Sequence, residues 1–88
     1  MTKVEIYTTL FCPFCHMAKA LLRKKGIDFA EIDVTMQPAK RQDMAVRAEG
    51  RWTVPQIFIA GEGIGGCEEL SALIHEGKLD RMMGLAEG

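Results

Sequence analysis

Cysteine is scarce in this chain, net charge is almost absent, and no long apolar run occurs. Three cysteines among 88 residues, only two of them close together, do not make the paired framework of a small secreted domain. A formal net charge of −1 gives no reason to expect nucleic acid or an anionic membrane as partner. No hydrophobic stretch approaches the roughly 20 residues that a bilayer span needs. The N-terminus, Met1-Thr2-Lys3-Val4, passes straight into a strand pattern without the apolar core of a signal peptide. A reducing cytoplasm is therefore the expected setting. Linkers, repeats and low-complexity segments are missing too, so residues 1–88 are expected to form one domain with one modest core. The remaining composition, 48% hydrophobic and 26% charged, is that of an ordinary soluble globular protein.

What is present is concentrated in Cys12-Pro13-Phe14-Cys15. This stretch follows an apolar run, Val4-Glu5-Ile6-Tyr7, and opens a helical pattern from Met17 to Lys25. Cysteines three apart at a helix start lie one turn apart, where they can close a small disulfide and reopen it. The first falls at or near the N-cap, where free backbone N–H groups and the positive end of the helix dipole favour a thiolate. Pro13 falls at N1, which suits proline. The spacing predicts thiol–disulfide chemistry with Cys12 as nucleophile and Cys15 as resolving thiol.

Val4 to Tyr7 reads as a buried strand and Thr8 to Phe11 as a loop. A helix from about Pro13 to Lys25 turns Met17, Ala18, Leu21 and Leu22 inward and stops at Gly26. Phe29 to Val34 is a second strand. A second helix starts at Pro38, buries Met44, Ala45 and Ala48, and ends at Gly50. Gln56 to Ala60 is a third strand, and Gly61-Glu62-Gly63 a hairpin turn into a short fourth strand near Ile64. Cys67 to His75 is a third helix ending at Gly77, and Leu79 to Met83 adds a last short turn. The order β-α-β-α-β-β-α implies an α/β fold. Its first two strands are parallel, joined by a right-handed crossover, and its last two form an antiparallel hairpin.

Other readings of the cysteines fare worse. A structural zinc is four-coordinate, and beyond Cys12 and Cys15 only Cys67, His16 and His75 are available, with no second pair at knuckle spacing. Cys12-Pro13-Phe14-Cys15-His16 matches the c-type haem pattern, but that attachment calls for an exported chain and room for a porphyrin. His16 is better read as a partly exposed helix residue beside the active pair, and no metal is expected. In Thr53-Val54-Pro55 the proline forces extended backbone at Val54. A cis bond there would bare the Val54 N–H and C=O for an extended cysteinyl peptide, although the residues alone favour a plain trans strand start. Gly65-Gly66-Cys67-Glu68-Glu69 opens a helix with two glycines. That arrangement is either an anion pocket, with Glu68 facing an ammonium group, or a simple helix entry with acids complementing the dipole. Cys67 reads as a small buried residue, Trp52 as a lid or as packing, and Lys40, Arg41 and Arg47 as a solvated helix face.

Taken together, Cys12-Pro13-Phe14-Cys15, Thr53-Val54-Pro55-Gln56-Ile57-Phe58-Ile59 and Ile64-Gly65-Gly66-Cys67-Glu68-Glu69-Leu70 resemble a dithiol glutaredoxin of the small bacterial type, over nearly the whole chain. The resemblance implies a thioredoxin fold, a four-stranded mixed sheet flanked by helices, and a cis Val54–Pro55 bond. It also implies a glutathione groove over the active pair. There Thr53, Val54 and Pro55 would present backbone to the cysteinyl unit, Gly66, Cys67 and Glu68 would hold the γ-glutamyl end, and Gln42 would reach the glycine carboxylate. Three positions near the site depart from the family pattern. Thr9 stands where a lysine is usual, Phe14 where a tyrosine is usual, and Glu68 where an aspartate is usual. Loss of the lysine would hand the glycine carboxylate to Arg51 or Lys40.

The activity so implied is glutathione-dependent reduction of protein–glutathione mixed disulfides and protein disulfides, with glutathione as co-substrate. The expected partners are glutathione and glutathionylated or disulfide-bonded proteins, and the expected state is a monomer. A thioredoxin-like electron donor to ribonucleotide reductase is the first alternative, disfavoured by the glutamyl pocket. A glutathione-ligated iron–sulfur carrier is the second, disfavoured by Pro13.

Overall fold

Period-two alternation in the two central strands decides what lies on each face of the sheet. The computed structural model describes residues 2–84. Its elements are β1 (Val4–Thr8), α1 (Pro13–Lys24), β2 (Ala30–Asp33), α2 (Pro38–Arg47), β3 (Gln56–Ile59), β4 (Glu62–Gly65), α3 (Cys67–His75) and α4 (Lys78–Met82). The strands lie in the order β2-β1-β3-β4, with β1 parallel to β2 and antiparallel to β3, and β3 antiparallel to β4. Val4 and Ile6 of β1 and Ile57 and Ile59 of β3 pack with Ala18 and Leu22 of α1, Leu70 of α3 and Leu79 of α4. Tyr7 and Phe58, one residue out of phase, face the other way, toward Met44 of α2 and Ala48 just past its end. Helices therefore cover both faces, and the four-stranded mixed sheet is the fold that the resemblance implied. Among the described residues, no helix is long and apolar enough to cross a membrane.

α1 ends as its sequence dictates. Gly26 takes a left-handed φ of 72°. Its N–H donates to the Arg23 carbonyl, and the Ile27 N–H donates to the Leu22 carbonyl at 3.0 Å. Ile27 and Leu22 meet in the core, which completes the apolar contact of a Schellman stop.

Several boundaries differ from the sequence expectation. Thr8 extends β1, because it pairs with Asp33 of β2. β2 is shorter than expected at both ends. α2 stops at Arg47, since Glu49 and Gly50 turn left-handed at φ 59° and 98°. The hairpin turns at Ala60-Gly61, both left-handed at φ 53° and 83°, and Glu62 and Gly63 already belong to β4. Met17, expected in the core, is 53% exposed. Arg47 is exposed, as expected, but its head group is not free. It donates to Glu5 Oε1 and to the Tyr7 hydroxyl, both at 2.9 Å, and stacks 4.1 Å over the Phe58 ring, fastening α2 to β1 and β3.

Candidate active site

Cys12 caps α1 from an extended conformation, φ −109° and ψ 105°. The Cys15 N–H donates to Cys12 Sγ at 3.2 Å, which is what a helix N-terminus offers an anionic sulfur. Cys12 is half-buried, and its thiol donates to the Val54 carbonyl across 3.7 Å. Cys15 is fully buried. Burial, then the neighbouring Cys12, pushes its thiol up to about 12. One sulfur is thus open to attack a disulfide and the other is held protonated behind it. Cys67 is buried as well, and its thiol is pushed up by burial and by the nearby Cys12 and Glu69 charges.

Two close approaches build the opposite wall. The Val54–Pro55 bond is cis, as the resemblance implied and the residues alone did not. Gly66 packs against this corner so closely that a Cβ would lie 3.0 Å from the Pro55 carbonyl. Gly65 has φ 107°, and a Cβ there would meet Glu69 Oε1 at 2.7 Å. Gly65 is held to glycine by its left-handed φ, and a side chain at Gly66 would have to push the Pro55 carbonyl back. Glu69 Oε1 in turn accepts the Gly66 N–H at 2.7 Å, and that bond holds its carboxyl below the usual carboxylate range. The Gly66 amide, expected to be open to a bound carboxylate, is therefore already capped from within α3. Glu69 was missed in the sequence, although an acid three residues after a helix N-cap is half of a capping box.

Between α1, the Val54–Pro55 corner and α3 runs a groove of about 960 Å³, at the upper end of the ~300–1,000 Å³ typical of small-molecule clefts. Of the residues singled out in the sequence, Phe14, Thr53, Val54, Pro55, Gly66, Cys67 and Glu68 line it, and Arg51 does too. Cys12, Cys15, Thr9, Pro13, Gln42 and Lys40 are not part of its lining, and Cys12 borders it through Val54, whose carbonyl its thiol meets. Met17, Leu21, Ala72 and His75 extend the wall along α1 and α3. Arg51 Nη2 stands 3.9 Å from Glu69 Oε2, a loose and solvent-exposed pairing. His16 is exposed, and its Nε2 donates to the Leu10 carbonyl at 2.9 Å. Trp52 is 53% exposed, and Arg41 grips its carbonyl with two hydrogen bonds, at 2.8 and 3.1 Å.

A mixed four-stranded sheet with a dithiol at the N-terminus of its first helix, facing a cis-proline corner, defines a thiol–disulfide oxidoreductase of the thioredoxin fold. Residues 4–64 match the family model described as Glutaredoxin, and the chain belongs to the glutaredoxin family. It is 51% identical to Glutaredoxin 3 of Escherichia coli K12 over 94% of this chain and 99% of that one. The solution structure of glutaredoxin from Brucella melitensis superposes with a TM-score of 0.82 at 51% identity, covering 93% of this chain and 88% of the other. The crystal structure of a buckwheat glutaredoxin–glutathione complex superposes with a TM-score of 0.85 at 26% identity, covering 94% and 77%.

Proposed function

We propose that the protein reduces protein–glutathione mixed disulfides and protein disulfides in the cytoplasm, at the expense of glutathione. The observation that carries this reading is the Cys12 sulfur, met by the Cys15 N–H at 3.2 Å and standing beside the Val54 carbonyl at the groove. Cys12 thiolate attacks the glutathione sulfur of a mixed disulfide, and the protein sulfur leaves and takes up a proton. A second glutathione thiolate then attacks the enzyme-bound glutathione sulfur. Oxidised glutathione departs and the Cys12 thiolate returns. With a protein disulfide, Cys12 forms the mixed disulfide and Cys15 displaces the second substrate sulfur.

In this reading Thr53, Val54 and Pro55 give the cysteinyl unit an extended backbone partner. Glu68 faces the γ-glutamyl ammonium. Because Glu69 occupies the Gly66 amide, the γ-glutamyl carboxylate is left to the following first-turn amides, beginning with Cys67. Arg51, which lines the groove where Lys40 does not, offers the cation that Thr9 lacks. Exposed Phe11 and Phe14, on either side of Cys12, give a protein substrate an apolar landing.

The test is steady-state reduction of a small glutathione mixed disulfide, with glutathione and glutathione reductase as the supply. Saturable turnover is expected from the native chain and from Cys15→Ser, and none from Cys12→Ser. Absence of turnover by folded native protein would overturn the reading.

A further inference from the structure

Lys19 is 9% exposed and sits one turn beyond Cys15, on the same face of α1. Lysine is almost never this buried without a partner. Its Nζ donates to Glu31 Oε2 at 2.8 Å, and the buried Thr8 hydroxyl donates to the same oxygen at 2.7 Å. One helix and two strands thus give one group each to a polar cluster at the β2 border of the sheet, with Glu31 exposed and Thr8 and Lys19 buried, where a methionine at position 19 would pack without the cost of desolvating a charge. The reaction at Cys12 has no use for it.

Lys19 points its ammonium at Glu31, and it follows Cys15 by one turn on the same buried side of α1, near enough for its charge to bear on the Cys15 thiol. On α1, Cys12 and Lys19 act on Cys15, and the Thr9 amide acts on it from the segment after β1. Lys19 is itself faced by Glu31 and Asp33 of β2 and by Thr8 of β1. In the resting dithiol, burial and Cys12 both oppose ionisation of Cys15, while the Thr9 amide and Lys19 favour it. Once Cys12 is joined to a substrate sulfur it carries no charge, and its opposition ends. Of the groups that act on Cys15, Lys19 is then the one with a full charge.

We propose that Lys19, held by Glu31 and Thr8, is a positioning residue for the resolving step, its ammonium favouring the Cys15 thiolate in the mixed disulfide and so promoting the two-cysteine reaction over the one-cysteine reaction. This deepens the proposed function and rests on its assignment of Cys15 as resolving thiol. In the step, the Cys15 thiol gives its proton to water and the thiolate attacks Cys12 Sγ. The bond from Cys12 to the substrate sulfur breaks, and the substrate leaves as a thiolate that is protonated by water. Cys12 and Cys15 are oxidised to a disulfide, and the substrate disulfide has gained two electrons.

The experiment mixes reduced protein with one equivalent of dithiobis-nitrobenzoate in a stopped-flow spectrometer, without glutathione. Attack by Cys12 releases one coloured thiolate, and attack by Cys15 on the mixed disulfide releases the second. Losing the Lys19 charge lowers the Cys15 thiolate fraction, and the stronger nucleophilicity of the more basic sulfur restores only part of that loss. Lys19→Met should therefore lower the ratio of second-phase to first-phase rate and move the pH profile of the second phase upward. Glu31→Gln, which frees the ammonium from its counter-charge, should move that profile downward. An unchanged ratio and profile in folded Lys19→Met, or a shift in the same direction in both variants, would reduce Lys19 to packing and overturn the proposal. Absence of a second phase in the native protein would overturn it as well. Because glutathione is absent, failure of the glutathione reading leaves this trace interpretable.

Discussion

A thiol sealed from water resists ionisation, because a charge in a low-dielectric interior forfeits its hydration. Cys15 is such a group, and its displacement is a statement about stability as well as reactivity. The folded state keeps the Cys15 proton above the ordinary value of 9.0, up to about 12. The associated stabilisation is therefore whole below pH 9.0 and is lost as pH rises toward about 12. The melting temperature of the reduced protein should fall more steeply than that of Cys15→Ala between about pH 9 and about pH 12. Parallel curves would mean that the thiol reaches water. The placement of both cysteines was legible in the sequence, since three-residue spacing at a helix start puts the first sulfur at the cap and turns the second inward. The Glu69 cap was legible in principle but was overlooked, because attention went to its neighbour Glu68. Lys19 could not have been found this way. A lysine in an amphipathic helix normally faces water, and only the tertiary position of Glu31 draws it inside.

Elements were legible where local chemistry decides them and obscure where a distant contact does. Proline at N1, basic residues in the last turn and a left-handed glycine fix α1 almost to the residue. The β3–β4 turn was misplaced because alanine at a left-handed position is a poor turn signal, whereas Gly61-Glu62-Gly63 looks like a good one. The cis Val54–Pro55 bond is likewise invisible to residue-level base rates and came only from the family resemblance. Arg47 faces solvent as expected, but its contacts with the sheet were not foreseen, although it lies three residues from buried Met44. Its bonds to Glu5 and Tyr7 and its stacking on Phe58 make it the fastening of α2. Arg47→Met keeps the aliphatic stem and removes the head group. It should cost about 1–2 kcal/mol in urea unfolding, allowing for the partial exposure of the ion pair. A loss within about 0.3 kcal/mol would show that apolar packing alone holds the helix.

Across the whole molecule, carboxylates tie the elements together. Glu5 joins β1 to α2 through Arg47, Glu31 joins β2 to α1 through Lys19, and Glu69 closes the start of α3. Hydrogen bonds from Arg47, from Lys19 and from the Gly66 amide, respectively, hold these three below the ordinary 4.5. A group depressed in the folded state stabilises above its unfolded value and loses that contribution as pH falls through its folded value. The free energy of unfolding should therefore decline as pH drops below about 4.5, with all three ties weakening together. Urea titrations at neutral pH and near pH 3 check this, and equal midpoints would sink it. The sheet order carries a last consequence. Its outer strands, β2 and β4, are short. β2 bears Glu31 and Asp33, while β4 holds Gly63 and Gly65 and pairs with β3 through an irregular register. A strand arriving from another molecule meets negative charge on one border and broken pairing on the other. Concentrated solutions should consequently resist fibre growth by sheet extension, and the two borders of the sheet achieve this by different chemistry.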